Sequence, residues 1–201
     1  MRKCFVLLFL LGCRFENNRE NISKPVVSNI QSLKNKLATI DSLFALAQKN
    51  KEGYKIKLFY KTGKLVRPVK DTTQWPVNYD EIINLLVDGK GLPLLYKELP
   101  FIESEDGEVS YSYYFDKKGN VFAIDVWSWQ FDNPCKDDKE LTLQETRTSF
   151  YNTHHEKINE IYSLKDKKGN LIDSTFCTYN GYTSHSIYNK FSDTPIYKIV
   201  H

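Results

Sequence analysis

Apolar side chains recur every three or four residues near the start of the chain. They are Val26, Ile30, Leu33, Leu37, Ile40, Phe44 and Ala47. This spacing places them along one stripe of a helix, so the pattern predicts a helix over about residues 29–49 that ends near Gly53. A stripe of this kind can be a seam for a partner protein. In a domain of this size it more often packs on the protein's own sheet, which is what we expect here.

A second, shorter helix is indicated further along the chain. Asn78 and Glu81 have the spacing of a capping box, and Val77 and Ile82 have the spacing of a hydrophobic staple. The pair Asp88-Gly89 is a typical helix stop. We therefore expect a short helix that begins after Asn78 and ends at this pair.

The rest of the chain is rich in the short apolar segments of antiparallel strands. Three predicted hairpins pair residues 54–60 with 64–69, 109–115 with 121–129, and 160–165 with 171–179. The last two share the turn sequence Asp-Lys-Lys-Gly-Asn, at residues 116–120 and 166–170. Gly and Asn suit such turns because they tolerate a positive φ. Further strands are expected over residues 142–152 and 195–200, the latter closing the sheet, with a loop over residues 180–193.

Two helices and about eight strands predict an α+β domain. Its antiparallel sheet would be built from hairpins, with both helices packed on one face. The composition fits a single folded domain, because 41% of the 201 residues are hydrophobic and only 9 are Gly and 7 Pro. The net charge of +3 is small, so nucleic acid is not an expected partner.

The first thirteen residues have the layout of a secretory leader. Two basic residues precede an apolar run from Cys4 to Gly12, which is too short to span a bilayer, and polar sequence begins at Arg14. The run ends in Leu10-Leu11-Gly12-Cys13, which resembles the lipobox of bacterial lipoproteins. The alternative is an ordinary cleaved leader or an incorrect start codon, with an incidental cysteine.

The lipobox resemblance implies that the leader is cut before Cys13, that the Cys13 thiol carries a diacylglycerol, and that the new amino group carries an acyl chain such as palmitate. Residues 1–12 would be the signal peptide, residues 13–25 a lipidated polar tether, and residues 26–201 the domain. Each buried methylene contributes about 0.8 kcal/mol, so the lipid would hold the domain on the cell membrane, facing away from the cytoplasm. In lipoprotein sorting, an Asp directly after the cysteine retains a protein at the inner membrane. This chain has Arg14 at that position, so the outer membrane is expected where a cell has two. Cleavage would lower the net charge to about +1.

Cys135 and Cys177 are the two thiols that remain after Cys4 is removed and Cys13 is lipidated. Export favours a disulfide between them, which would contribute about 3 to 4 kcal/mol. Cys177 fits equally well as a buried free thiol within a predicted strand. The sequence leaves both possibilities open.

The residues most suggestive of hydrolytic chemistry are His154, His155 and Glu156, because histidine and carboxylate are common metal ligands and proton carriers. In the zinc-protease pattern a second histidine would stand where this chain has Asn159. We therefore expect a polar turn here, with no metal and no cofactor. A small envelope hydrolase that uses these three residues is the alternative function.

The strand over residues 121–129 has more aromatic side chains than a core requires. One of its faces carries Phe122, Ile124 and Val126, and the other carries Ala123, Asp125, Trp127 and Trp129. If the aliphatic face packs on the helices, Trp127 and Trp129 stand on the opposite surface, joined by Tyr111 and Tyr113 of the pairing strand. The tryptophans could instead belong to the core.

An exposed aromatic platform suits stacking on sugar rings or contact with a partner protein. The sequence therefore predicts a non-catalytic module that binds a protein or glycan in the cell envelope. Its predicted binding residues are Trp127, Trp129, Tyr111 and Tyr113. A structural or immunity-type lipoprotein is a further alternative.

Overall fold

The computed structural model describes residues 25–49, 54–69, 77–102, 107–130, 142–173 and 185–200. For residues 25–28 and 130 it describes the backbone alone. Its strands are β1 (Lys55–Thr62), β2 (Leu65–Pro68), β3 (Glu81–Val87), β4 (Pro93–Pro100), β5 (Gly107–Phe115), β6 (Val121–Gln130), β7 (Leu143–Tyr151) and β8 (Lys157–Asp166). They form one antiparallel sheet in the order β2-β1-β3-β4-β5-β6-β7-β8. The predicted α+β class with an eight-stranded antiparallel sheet is confirmed.

Helix α1 (Pro25–Gln48) covers one face of the sheet. Its apolar stripe packs on buried sheet residues that include Leu86, Leu95 and Phe150. Ile40 is the most deeply buried helix residue described, with 4% of its surface exposed. The three-or-four-residue spacing thus describes a helix that packs on the protein's own sheet.

The segment from residue 185 to residue 200 covers the opposite face. It contains a 3₁₀ helix (Phe191–Asp193) and a short helix, α2 (Tyr197–Val200). Phe191 and Ile196 are buried in the core of this face, and the Phe191 amide donates to the Gly119 carbonyl at 2.8 Å. The sheet is therefore covered on both faces. The prediction of a second helix beside α1 on one face is wrong, because the predicted segment forms a strand and the short helix α2 packs on the opposite face.

The predicted short helix after Asn78 is wrong, because this segment forms strand β3 in the interior of the sheet. Ile83 and Leu85 belong to the core opposite α1, whereas Leu86 belongs to the core beneath α1. A strand that is buried on both faces has no polar side to alternate with the apolar one. Its apolar run therefore resembles a helix segment. The capping-box spacing of Asn78 and Glu81 then favoured a helix where the chain forms a strand.

The predicted closing strand over residues 195–200 is also wrong. Residues 197–200 form α2, and Ile196 is fully buried against the sheet face instead of pairing with an edge. Tertiary packing has overridden the strand propensity of this apolar segment.

The two repeated turns have the same construction. In the first, Asp116 Oδ1 accepts hydrogen bonds from the amides of Lys118 and Asn120 at 2.8 and 2.9 Å. In the second, Asp166 Oδ1 accepts from the amides of residues 168 and 170, both at 2.8 Å. Gly119 and Gly169 take positive φ values of 77° and 83°, as the predicted turn chemistry requires.

Several predicted features fall outside the described residues. These are the leader and Cys13, the pair Cys135 and Cys177, and residues 174–179 of the third hairpin. Leu171 of that hairpin bridges to Lys165. Among the described residues, neither helix combines the length and apolar character needed to cross a membrane.

Candidate functional site

A groove of about 420 Å³ lies beside α1, over strands β4, β5 and β6. Its walls combine an aromatic side chain, carboxylates, an ammonium group and hydroxyls, contributed by Trp127, Asp125, Asp41, Lys97, Ser110 and Ser112. Trp127 is partly exposed. The groove has the size of a small-molecule site.

Strand register explains why polar side chains line the groove. Asp125 lies opposite Ser112 on β5 and opposite Thr148 on β7. Trp127 lies opposite Ser110 on β5 and Thr146 on β7. Side chains directly across an antiparallel pair are about 5 Å apart at Cβ. The strands therefore place hydroxyl groups on both sides of the carboxylate and of the indole.

Two carboxylates are fixed in the groove by neutral donors. Asp125 Oδ1 accepts a hydrogen bond from the Thr148 hydroxyl at 2.6 Å, and Asp41 Oδ1 accepts one from the Tyr114 hydroxyl at 2.7 Å. Partial burial raises the pKa of Asp41, deeper burial raises that of Asp125, and the charge of Asp41 raises the pKa of Asp125 further. The Lys97 ammonium opposes the shift at both sites. The groove thus offers two oriented acceptors beside one cation.

Trp129 lies next to the groove on the same face as Trp127. It faces Glu108 across the β5–β6 pair, and its indole N–H donates to Glu108 Oε2 at 3.1 Å. Glu108 also lines the groove. The two tryptophans therefore share the face that α1 covers in part, beyond the apolar core beneath the helix. The expected packing of the aliphatic face of β6 on the long helix is wrong, because Ile124 and Val126 belong to the core opposite α1.

Tyr111 and Tyr113 do not join the tryptophans, and the predicted platform of four aromatic residues is wrong on this point. They lie opposite Val126 and Ile124, on the face covered by residues 185–200. Tyr111 is 5% exposed and Tyr113 is fully buried. The register sets Ser110 opposite Trp127, so the odd-numbered residues of β5 lie on the face away from the tryptophans.

The sequence pattern did not identify Asp41, Lys97, Ser110 and Ser112 as groove residues. They come from three elements that are distant in the chain, and each is an ordinary polar residue in its own segment. The one local signal was Asp125, a carboxylate between two aromatic or aliphatic positions of a strand. It marked the face that carries the groove.

His154, His155 and Glu156 lie in the turn between β7 and β8. Asn152 organises this turn: its Oδ1 accepts from the amides of residues 154 and 156, and its Nδ2 donates to Glu156 Oε2 at 2.7 Å. His154 and Glu156 are exposed, and His155 has a φ of 61°. Within the described ranges, no three His, Cys, Asp or Glu residues are grouped to hold a metal ion. The structure therefore gives these residues a place in a polar turn.

Comparisons with protein-family models, with curated proteins and with solved structures find no match to this chain.

Proposed function

We propose that this protein is a lipid-anchored envelope protein whose domain binds a glycan, without catalysis, in the groove beside Trp127. The observation that carries the proposal is the partly exposed Trp127 indole in one groove with Asp125, Asp41 and Lys97. Each of these groups has a counterpart on a sugar.

A sugar ring has an apolar C–H face and an equatorial belt of hydroxyls. The C–H face stacks on an indole, and the hydroxyls donate to carboxylates and accept from ammonium or hydroxyl groups. In the groove these partners stand side by side, because Trp127 and Asp125 are two residues apart on one strand and Lys97 and Asp41 line the same space. Phe44 and Leu95 add apolar surface to the same groove. Protein partners more often bury a central apolar cluster, so the carboxylates, ammonium and hydroxyls around the indole favour a glycan.

The anchor belongs to the proposal through the Leu10-Leu11-Gly12-Cys13 segment. Acyl chains on Cys13 would hold the domain on the envelope, where glycans are abundant, and the polar tether over residues 13–25 would let it reach them. Incorporation of a labelled palmitate analogue in growing cells tests this part. We expect label in the wild-type protein and none in Cys13→Ser, and label in both proteins would contradict the anchor at Cys13.

Binding is tested with the full-length protein, solubilised in mild detergent, on an array of bacterial envelope glycans. We expect Trp127→Ala to weaken capture at least about tenfold, equivalent to about 1.4 kcal/mol of lost stacking. Asp125→Asn is expected to weaken it less, because the amide keeps one acceptor. Trp129→Ala should have a smaller effect than Trp127→Ala, since Trp129 does not line the groove.

The matched control is Phe101→Ala, which removes an exposed aromatic side chain outside the groove. It should leave capture unchanged. The proposal fails if no envelope glycan is retained by the wild type, or if Trp127→Ala and Asp125→Asn bind as Phe101→Ala does. Loss of binding with intact thermal unfolding separates a binding defect from a folding defect.

A further inference from the structure

A second cleft, of about 380 Å³, opens on the face of the sheet opposite the groove. Its floor comes from adjacent strands, with Lys61 on β1, Glu81 on β3 and Glu98 on β4. Tyr111, His185, Ser186 and Tyr188 form the wall beside them. Both glutamates are buried, with 7% and 6% of their surfaces exposed.

The two carboxylates are not satisfied equally. Glu98 Oε1 accepts hydrogen bonds from the hydroxyls of Tyr96 and Tyr188, at 2.7 and 3.1 Å. Glu81 Oε2 accepts from the Lys61 ammonium at 2.9 Å. The second oxygen, Glu81 Oε1, is buried and has no hydrogen-bond partner among the residues that the structure describes. A buried acceptor without a donor costs about 1 to 3 kcal/mol of folding free energy. An unpaired carboxylate oxygen at a cleft therefore indicates that a ligand supplies the donor.

The charges of the cleft do not balance when both carboxylates are ionised. Lys61 compensates Glu81, which leaves one buried negative charge at Glu98. A buried charge must be neutralised by a proton or matched by a cation. Burial and the neighbouring Glu81 raise the pKa of Glu98 to about 7. The Glu98 carboxyl therefore gains and loses its proton near neutral pH. The charged and titratable groups that surround Glu98 are Lys61, Glu81, Tyr96, Tyr111, Tyr113, His185 and Tyr188.

The wall of the cleft is aromatic. The rings of Tyr111 and His185 stack at 4.8 Å with an interplanar angle of 19°, and Tyr188 meets Tyr96 edge-on at 5.8 Å. Such a wall suits the carbon skeleton of an organic cation, whose charge it also attracts. A metal ion would need more ligands, and no group of three His, Cys, Asp or Glu residues suited to a metal ion occurs in the described ranges.

We propose that this cleft binds a primary amine, with its ammonium group held between Glu81 Oε1 and the Glu98 carboxylate and its carbon skeleton against the Tyr111–His185 stack. The ammonium supplies the missing donor to Glu81 and the missing positive charge beside Glu98. Where Glu98 carries a proton, binding of the ammonium group displaces that proton. The proposal does not rest on the glycan groove, which lies on the other face of the sheet.

The proposal is tested by titrating the full-length protein with benzylammonium and with the neutral isostere benzyl alcohol at pH 8, followed by NMR of the tyrosine rings. We expect benzylammonium to bind at least about tenfold more tightly than benzyl alcohol and to shift the Tyr111 and Tyr188 resonances. At pH 5 the same titration should show weaker binding, because protons then compete for the carboxylates. A blocked lysine, Nα-acetyl-lysine amide, shows whether a peptide side chain can occupy the site as the free amine does.

Two cleft variants and one groove variant locate the site. Glu81→Gln and Glu98→Gln should each weaken benzylammonium binding at least about tenfold, whereas Asp125→Asn should leave it unchanged. Glu98→Gln keeps an acceptor for both tyrosine hydroxyls, so it provides a test even if Glu81→Gln does not fold. Equal affinity for the amine and the alcohol, or unchanged binding in Glu98→Gln, would overturn the proposal. Loss of binding in Asp125→Asn would place the amine in the groove instead and would equally overturn it.

Discussion

Tyr113 and Tyr114 are neighbours on β5, and their hydroxyls serve opposite faces of the sheet. Tyr114 donates to Asp41 of α1 at 2.7 Å, and Tyr113 donates to the backbone carbonyl of Ser186. Each tyrosine thus ties the sheet to the segment that covers its own face. One cover is a regular helix, and the other is an irregular segment with one 3₁₀ helix and the short helix α2.

The two covers leave different kinds of space. A helix is a straight cylinder and contacts a sheet along one stripe, so the face beneath α1 stays open at its side, where the groove lies. The irregular segment follows the sheet and encloses Tyr96, Tyr113 and the Glu98 carboxylate. The regular helix α1 thus leaves an accessible polar groove at its side, whereas the irregular segment of residues 185–200 covers two buried carboxylates, Glu81 and Glu98.

The largest expected effect on unfolding free energy comes from truncating a buried side chain in each segment that covers the sheet. Phe191→Ala deletes a buried ring that packs edge-on against Phe115 at 5.5 Å, and it should cost about 3 to 5 kcal/mol of unfolding free energy. Ile40→Ala in α1 should cost about 2 to 5 kcal/mol by the same mechanism. Urea unfolding followed by tryptophan fluorescence measures both values.

The control for these variants is Ile187→Ala, in the same irregular segment, with 68% of the residue exposed. It should change stability by less than about 0.5 kcal/mol. If Phe191→Ala costs no more than this control, the irregular segment is not part of the cooperative folded unit. The comparison of the two covers would then be broken.

Elements fixed by local chemistry could be predicted from the sequence. The apolar stripe of α1 and the two Asp-Lys-Lys-Gly-Asn turns depend on residues within one turn or one helix face, and these are visible in the chain. The turn at Asp116 shows this directly, because the Asp116 carboxylate accepts its hydrogen bonds from Lys118 and Asn120, which are at most four positions away.

Features that depend on tertiary position could not be predicted in this way. β3 is buried on both faces, so the spacing of its apolar residues does not distinguish a strand from a helix. Residues 195–200 have strand propensity, but residues 197–200 form helix α2 and Ile196 is buried against the sheet. The register between β4 and β5 places Tyr111 opposite Glu98, and the register between β5 and β6 places it opposite Val126 and not opposite Trp127. Glu81, interpreted as a helix-capping residue, is a buried carboxylate paired with Lys61. In each case the deciding neighbour is distant in sequence.

An intermediate effect is expected from pH, and it should differ between the faces. The folded-state pKa of Glu98 is about 7, above its ordinary value of 4.5, so the folded protein binds more protons than the unfolded chain between these values. Stability is therefore highest below about pH 4.5 with respect to this group, falls as pH rises and levels off above pH 7, at a total loss of about 3 kcal/mol. Glu98→Gln should remove this fall.

Unfolding free energies of the wild type and Glu98→Gln between pH 5 and pH 8 measure the effect. The matched variant is Asp125→Asn in the groove, where burial also raises the pKa of the carboxyl from an ordinary value of 3.8. Because this group starts from a lower value, the fall that it contributes begins at lower pH. Parallel curves for the wild type and Glu98→Gln over the whole range would contradict the assignment of the buried charge to Glu98.

The smallest expected effect comes from the two neighbouring hydroxyls, and it is the most direct test of the comparison. Tyr114→Phe removes a hydrogen bond to a carboxylate and should cost about 1 to 2 kcal/mol, whereas Tyr113→Phe removes one to a neutral carbonyl and should cost about 1 kcal/mol. Both rings stay in place. Tyr114→Phe frees Asp41 and should weaken glycan capture alone, and Tyr113→Phe frees Ser186 and should weaken benzylammonium binding alone. If either variant weakens both ligands, the sheet couples its two faces and the sites are not independent.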